Sequence, residues 1–482
     1  MDEIELKLQL TEAAAAKLRS SDALPGKPRP VAQRSFYFDT PDQALRAAGL
    51  SLRIREANGE RVQTIKQSDG TAAGFHARPE WQMQVDGDQP VLDGSTPAAK
   101  ALAGKAASLA PVFAVLVNRE TWVLTEGEAR IEAVIDEGEV IAADRTSRFR
   151  ECELELLAGP RDALFIVARR LAAAAPVTLS VQTKSERGFR LIGPQPLACK
   201  AEPVFLAPDL TTAEAFRRIA EACLRHFRLN EDLLLATRGA EPLHQARVAL
   251  RRLRSAFSIF WPMLDPSRQG LRDELKWLAG TLDATRNLDV LASRAAETSL
   301  AAELRLARAA AYDQAAQGLQ SQRTRSLMLD LAEWIGSGPW TSAPAGQAIR
   351  DMPARDFASR ALEKSRRKVK KDGRNLSGLS DEARHDLRKD AKKLRYATDF
   401  FASLFDRDRP KRLARFAGAL ADLQDHLGEL NDLSAAPAVL QRLGLSDHPD
   451  SGFLVPPGSR KALMQAAVKA HGDLLRAKPY WT

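Results

Sequence analysis

The chain has 482 residues, too many for one ordinary hydrophobic core, and its length points to two or three domains. Cys152, Cys199 and Cys223 offer neither a disulfide framework nor metal-ligand spacing; with no apolar leader and no stretch near the roughly 20 apolar residues of a membrane span, a cytoplasmic protein without a membrane partner is expected. The formal charge of +9 is uneven: residues 1–200 carry 26 Lys and Arg against 27 Asp and Glu, the remainder 45 against 35, so a polyanionic partner (nucleic acid, phospholipid or polyphosphate) is expected of the second part.

Glu3-Ile4-Glu5-Leu6-Lys7 alternates charged and apolar residues, which puts two carboxylates and an ammonium on one strand face. Further strand-like segments fall at 33–39, 50–56, 61–67, 75–86, 112–124, 129–142 and 148–157, with short helices near 11–19, 41–48, 97–108 and 161–173. Eight such strands imply a closed, largely antiparallel sheet. Arg53 and Arg55 share a face, as do Arg78, Glu80 and Gln82; Glu151, Glu153 and Glu155 place three carboxylates opposite Leu154 and Leu156. Like charges crowded on an exposed strand would only repel. A barrel with a polar lumen and helix-covered outer faces accounts for them. His76, the only histidine of this region, is expected at the surface.

These motifs resemble the CYTH domain, the triphosphate tunnel metalloenzyme family. The likeness rests on Glu3-Ile4-Glu5-Leu6-Lys7, Phe36-Tyr37-Phe38-Asp39-Thr40, Leu52-Arg53-Ile54-Arg55, Thr64-Ile65-Lys66 and Val117-Asn118-Arg119 with Trp122. Arg130-Ile131-Glu132, Asp136-Glu137-Gly138, Glu153-Leu154-Glu155 and Lys184-Ser185 follow in family order. The resemblance implies that Lys7, Arg53, Arg55, Lys66, Arg119 and Lys184 meet phosphate oxygens. It implies that Glu3, Glu5, Glu153, Glu155 and Glu132 hold Mg²⁺ or Mn²⁺, with Glu3 and Glu5 counted in the catalytic set. Hydrolysis of inorganic triphosphate to diphosphate and phosphate is the activity expected, with nucleoside or thiamine triphosphate as alternative substrates. Gln82 stands where another acid could have been, which leaves that strand's part open.

The proline-rich stretch 196–209 reads as a linker, and 210–482 as helical. His244, Arg247, Arg251 and Arg254 repeat as His385, Arg388, Lys392 and Arg395, each set at offsets 0, 3, 7 and 10. At 3.6 residues per turn such a set spans an arc of about 80°, a narrow basic ridge. Two related bundles, about 210–340 and 350–445, are expected about a pseudo-two-fold axis. The ridges suit a linear polyanion; they lack the interleaved aromatics of single-strand binders, which argues against nucleic acid. Lys364–Lys371 adds a third basic run that either extends the groove or is merely solvated. Partial protonation of the histidines near neutral pH would weaken anion binding as pH rises. The pattern resembles the CHAD domain, which implies inorganic polyphosphate as partner along these eight residues and association with polyphosphate granules; a non-catalytic polyphosphate-binding protein is the alternative reading of the whole. The expected fold is therefore α+β and multi-domain: an eight-stranded antiparallel β-tunnel with flanking helices at 1–195, and an all-α pair of bundles at 210–482. After 445 only Pro456-Pro457-Gly458 and a helical stretch at 459–476 stand out.

Overall fold

A computed structural model describes residues 2–67, 72–94, 96–102, 104–264, 269–454 and 459–482; the Pro456-Pro457-Gly458 break lies outside them. The chain forms two compact units, Met1–Cys199 with Ser321–Gly338, and Lys200–Gln320 with Pro339–Thr482.

The first unit is built on β1 (Asp2–Leu10), β2 (Arg29–Asp39), β3 (Leu50–Ala57), β4 (Glu60–Gln67), β5 (Phe75–Gln84), β6 (Ala110–Glu126), β7 (Ala129–Ala142), β8 (Arg145–Ala158) and β9 (Val177–Leu179). Strand order is β5-β4-β3-β2-β6-β7-β8-β1-β9, every pairing is antiparallel, and an added β5–β1 ladder closes β1–β8 into a barrel. One edge of β1 is shared. Asp2–Leu6 pair with β5, and Leu8–Leu10 pair with β9, so neither half of that edge is left open. The eight strands read from alternation are thus present; β9 is three residues long and too short to show a period.

Flanking the barrel are α1 (Glu12–Arg19), α2 (Ala44–Ala47), α3 (Pro97–Leu102), α4 (Asp162–Ala174) and α5 (Lys184–Ile192). Leu6 and Leu8 on the outer face of β1, and Leu164, Phe165, Val167 and Leu171 on α4, are fully buried. Each such side chain contributes about 1.5–3 kcal/mol of burial free energy. Asp39 explains part of the Phe36–Thr40 motif: its buried carboxylate accepts from the amides of Thr40, Leu45 and Arg46 at 2.8, 2.9 and 3.0 Å, and so fixes the turn into α2.

The second unit contains α6 (Thr212–Thr237), α7 (Ala240–Ile259), α8 (Gln269–Arg294) and α9 (Ala301–Leu319). Then α10 (Gln322–Ser337) belongs to the first unit, where it packs on α4 and β9. Leu327, Leu331 and Ile335, spaced by four, are buried, and Arg169 of α4 bonds Asp330 at 2.8 Å. The sequence offers no sign of this excursion, because an amphipathic helix reads alike whichever core it joins. The rest of the second unit is α11 (Gln347–Arg350), α12 (Ala354–Asp372), α13 (Asp381–Phe401), α14 (Pro410–Arg442) and α15 (Ser459–Arg476). The neighbours α6–α7–α8 recur as α12–α13–α14, and α7 packs directly on α13, the arrangement that the repeated ridges require. Within the Lys364–Lys371 run, Lys368 pairs with Asp390 at 2.8 Å and Arg366 donates to the Leu475 carbonyl at 3.2 Å. Among the described residues no helix is long and apolar enough to cross a membrane.

Candidate active site

The register of the barrel decides what faces the lumen. Glu5 lies opposite Glu155, which lies opposite Glu132; Lys7 faces Glu153; Asp136 sits between Arg119 and Glu151; Glu3 and Lys66 face Arg78 and Glu80 of β5. A period of two keeps all of these on one side of the sheet. They surround a cavity of about 360 Å³, with Arg53, Arg55 and Tyr37 on its other wall and Thr183, Lys184 and Ser185 at its floor. Lys184 is the first residue of α5, whose start is fixed by a capping box between Thr183 and Glu186. Gly188 allows the close fit of that helix, since a Cβ there would stand 2.2 Å from the Phe113 ring.

Most of the lumen's charges are already paired. Arg119 donates to both oxygens of Asp136 at 2.8 and 2.6 Å and to Glu153 at 3.0 Å. Lys184 reaches Asp136 at 2.7 Å, Glu151 at 2.5 Å and Glu153 at 3.0 Å. Lys7 contacts Glu153 and lies 3.0 Å from Glu5, and Arg78 bonds Glu5 at 2.6 Å. Lys66 meets Glu3 at 2.5 Å. Burial alone would raise Glu5, Asp136 and Glu153, but these cations outweigh it and hold all three carboxyls below their usual range.

Two sets remain uncommitted. Arg53 and Arg55 have no carboxylate partner among the described residues; Arg53 lies 3.5 Å from the Tyr37 hydroxyl, and its buried Nε has no acceptor. Arg53, and then burial, push Arg55 down to about 10. Glu132 and Glu155 likewise lack a basic partner among the described residues. Burial, then Glu3 and Glu132, push Glu155 up to about 7. One wall is short of anions and the opposite wall short of cations. Asp136, Glu151 and Glu153 also bring carboxylate oxygens within 4.8 Å of one another, but Arg119, Lys184 and Lys7 already pair with them, leaving, among the described residues, only Glu151 Oε2 without a hydrogen bond. A wider concavity of about 850 Å³ crosses Gln33, Val117, Gly138 and Phe149, where opposite charges such as Arg150 and Glu137, 3.5 Å apart, pair with each other.

His76 corrects an expectation: it is buried at 2% exposure, on the lumen side of β5, rather than at the surface. Period-two alternation with Arg78 and Glu80 was the available sign. Both ring nitrogens lack a partner, and burial, then Arg78, push the imidazole down to about 3 from 6.5. Below pH 6.5 the unfolded chain takes up a proton that the folded chain refuses until about pH 3. Stability therefore falls as pH drops through that window, by up to about 1.4 kcal/mol per unit. Urea midpoints measured from pH 7 to pH 4.5 should show this slope in the wild type and a much flatter one in His76→Gln.

In the second unit the two ridges face each other across the α7–α13 contact. Arg247 bonds Asp283 of α8 at 2.5 Å, His385 contacts Asn431 of α14 at 2.9 Å and Arg395 reaches Gln424 at 3.4 Å. Arg251, Arg388 and Lys392 have no ion-pair partner among the described residues, while Arg254 is exposed.

A family model for the CYTH domain matches residues 1–189, and one for the CHAD domain matches residues 218–441. The chain joins a CYTH domain to a CHAD domain. An inorganic triphosphatase of Haemophilus influenzae is 29% identical over 162 residues, covering 32% of this chain and 44% of the relative, so the chain spans under half of that protein's length. The crystal structure of the CHAD domain from the plant Ricinus communis is similar at 29% identity and a TM-score of 0.50, covering 59% of this chain and 98% of that one.

Within the CYTH domain, every residue expected at the phosphate or the metal lines the one cavity. Arg78, Asp136 and Glu151 were not among them, yet Arg78 joins Glu3 and Glu5 of β1 and the other two anchor Lys184. In the CHAD domain the expected histidine titration does not extend to His244. Burial, then Arg286, push it down to about 4, so it is neutral at physiological pH.

Proposed function

We propose that the CYTH domain hydrolyses inorganic triphosphate to diphosphate and phosphate, and that the CHAD domain binds inorganic polyphosphate along its paired ridges. The observation that carries the first half is the division of the lumen: among the described residues, two arginines without a carboxylate partner on one wall and two glutamates without a basic partner on the other, bridged by ion pairs that hold the remaining cations in place. Triphosphate presents several anionic oxygens, and its hydrolysis is largely a matter of positioning and electrostatic stabilisation. Arg53 and Arg55 would take the phosphate oxygens first. Lys7, Lys66, Arg119 and Lys184 are held by carboxylates at the lumen surface and would donate their remaining N–H groups.

Glu132 and Glu155, with Glu5 and Glu3 beside them, fit a hard divalent ion: carboxylate oxygens are its preferred donors, and burial together with the neighbouring acids raises Glu155 despite Lys66. Glu153 fits it less well, being held by three cations. Mg²⁺ or Mn²⁺ bound there would neutralise phosphate charge and polarise the phosphoryl group under attack. The relative described as an inorganic triphosphatase supports this substrate over nucleoside or thiamine triphosphates.

The test is phosphate release from tripolyphosphate with and without Mg²⁺ or Mn²⁺, comparing wild type with Glu155→Gln. A metal-dependent rate that falls at least about 100-fold in the variant is expected; a rate indifferent to metal and to the substitution overturns the enzyme reading and leaves the purely polyphosphate-binding one. The second half is tested by competition of labelled polyphosphate against DNA and RNA at one ionic strength, because polyelectrolyte binding depends steeply on salt.

A further inference from the structure

We propose that Lys392 is a modification site of the CHAD domain: an amine that reacts selectively with acyl phosphates, whose phosphate group the surrounding arginines hold while the lysine attacks the acyl carbon. The proposal rests on reading the paired ridges as an anion site, and it adds covalent chemistry that binding alone does not need.

The geometry starts from the α7–α13 contact. Lys392 is half-buried on α13, one turn after Arg388. Arg247 and Arg251 of α7 bear on it from across the contact, and from α14 the charged group that faces it is Asp432. On α12, another neighbour of α13, Lys364 and Lys368 act on Lys393 and Asp390 instead. Lys392 makes no ion pair among the described residues, whereas Lys389, one residue beyond Arg388, is exposed and bonds Asp386 at 2.6 Å. An ammonium stripped of water beside three guanidiniums loses its proton easily. Burial first, then Arg251, Arg388 and Arg247, push Lys392 down to about 6 from 10.5. A neutral amine is the nucleophilic form, and desolvation beside other cations is a recognised way of obtaining it near neutral pH.

Arg251 and Arg388, which make no ion pair among the described residues, supply what a reagent needs, with Arg247 held beside them by Asp283. An acyl phosphate carries its leaving group as an anion, and arginine grips phosphate through paired N–H groups. The Lys392 nitrogen forms a bond to the acyl carbon, the carbon–oxygen bond to phosphate breaks, phosphate leaves with that electron pair, and the amine's surplus proton passes to solvent. The product is an uncharged amide. It can no longer acquire the positive charge that an incoming polyanion would favour, so acylation would weaken polyphosphate binding.

The test is incubation of the full chain with acetyl phosphate at pH 7.5, followed by peptide mass mapping of acetylated lysines over time. Lys392 should be acetylated at least tenfold faster than Lys389, tripolyphosphate should suppress that rate, and Arg251→Ala should lower it several-fold. A parallel arm uses an uncharged acetyl ester, for which the preference for Lys392 over Lys389 should shrink, since only the phosphate reagent is recruited. Equal rates at the two lysines, or an equal preference with both reagents, overturns the proposal. Polyphosphate binding by the unmodified protein is measured alongside. If it persists while selectivity is absent, only the modification fails; if both are absent, the reading of the ridges as an anion site fails too.

Discussion

Arg55→Ala is expected to lower phosphate release from tripolyphosphate by about 10²–10³-fold, while leaving the CYTH domain as stable as the wild type or slightly more so. The two signs together make the prediction specific. Arg53 and Arg55 stand two residues apart on β3, facing the same lumen, and neither has a carboxylate partner among the described residues. Arg53 is the largest influence on Arg55, and it disfavours the charge. Removing Arg55 therefore relieves repulsion in the ligand-free barrel, and removes attraction only once an anion has entered. Lys7, Lys66, Arg78, Arg119 and Lys184 behave differently, because the loss of any of them would strand a carboxylate. Arg55→Lys should recover part of the rate, since the charge returns without the fork that grips two oxygens. Steady-state kinetics and thermal unfolding on the same preparations check both signs. A variant that loses activity and stability together would mean that Arg55 is a structural residue.

The barrel was legible from alternation because a lumen lined with charge and an outer wall lined with Leu, Ile and Val produce the plainest period-two pattern a strand can carry. Thus β1, with Glu3, Glu5 and Lys7 inward and Ile4, Leu6 and Leu8 outward, was readable from the first ten residues. The repeated ridges of α7 and α13 were readable for the same kind of reason, the period now being that of a helix. Other features were not legible because they depend on partners distant in sequence. Nothing local in Glu153 distinguishes a metal ligand from an anchor for Lys7, Lys184 and Arg119; only the β1–β8 and β6–β7 registers and the placement of α5 do that. Nor does the helical period of α10 reveal that it joins the barrel rather than the bundle. His244 looked like a titrating group because an ordinary imidazole titrates near neutral pH, but burial, then Arg286, takes it out of that range.

Asp136→Ala is expected to destabilise the CYTH domain by about 3–5 kcal/mol, the cost of leaving buried charges without their partner. Asp136 is fully buried and is held by both forks of Arg119 and by Lys184. Alanine leaves Arg119 with Glu153 alone and Lys184 with Glu151 and Glu153, so the two cations share Glu153, which Lys7 also uses. The pH dependence carries its own sign. The folded Asp136 carboxyl lies below its ordinary 3.8, so its contribution is complete above that value and is lost as pH falls through the lower, folded one. Lys184 is raised above its ordinary 10.5, so its contribution is complete below 10.5 and is lost only in strong alkali. The difference in stability between wild type and Asp136→Ala should therefore be flat from about pH 5 to pH 9, and should narrow only toward acid. Asp136→Asn separates shape from charge: it keeps the volume and one acceptor, so an equally large loss would show that the charge on the carboxylate, not its packing, holds Arg119 and Lys184 at the floor of the tunnel. Denaturant titrations of the three proteins at pH 4, 7 and 9 would read out both the size and the direction of the effect.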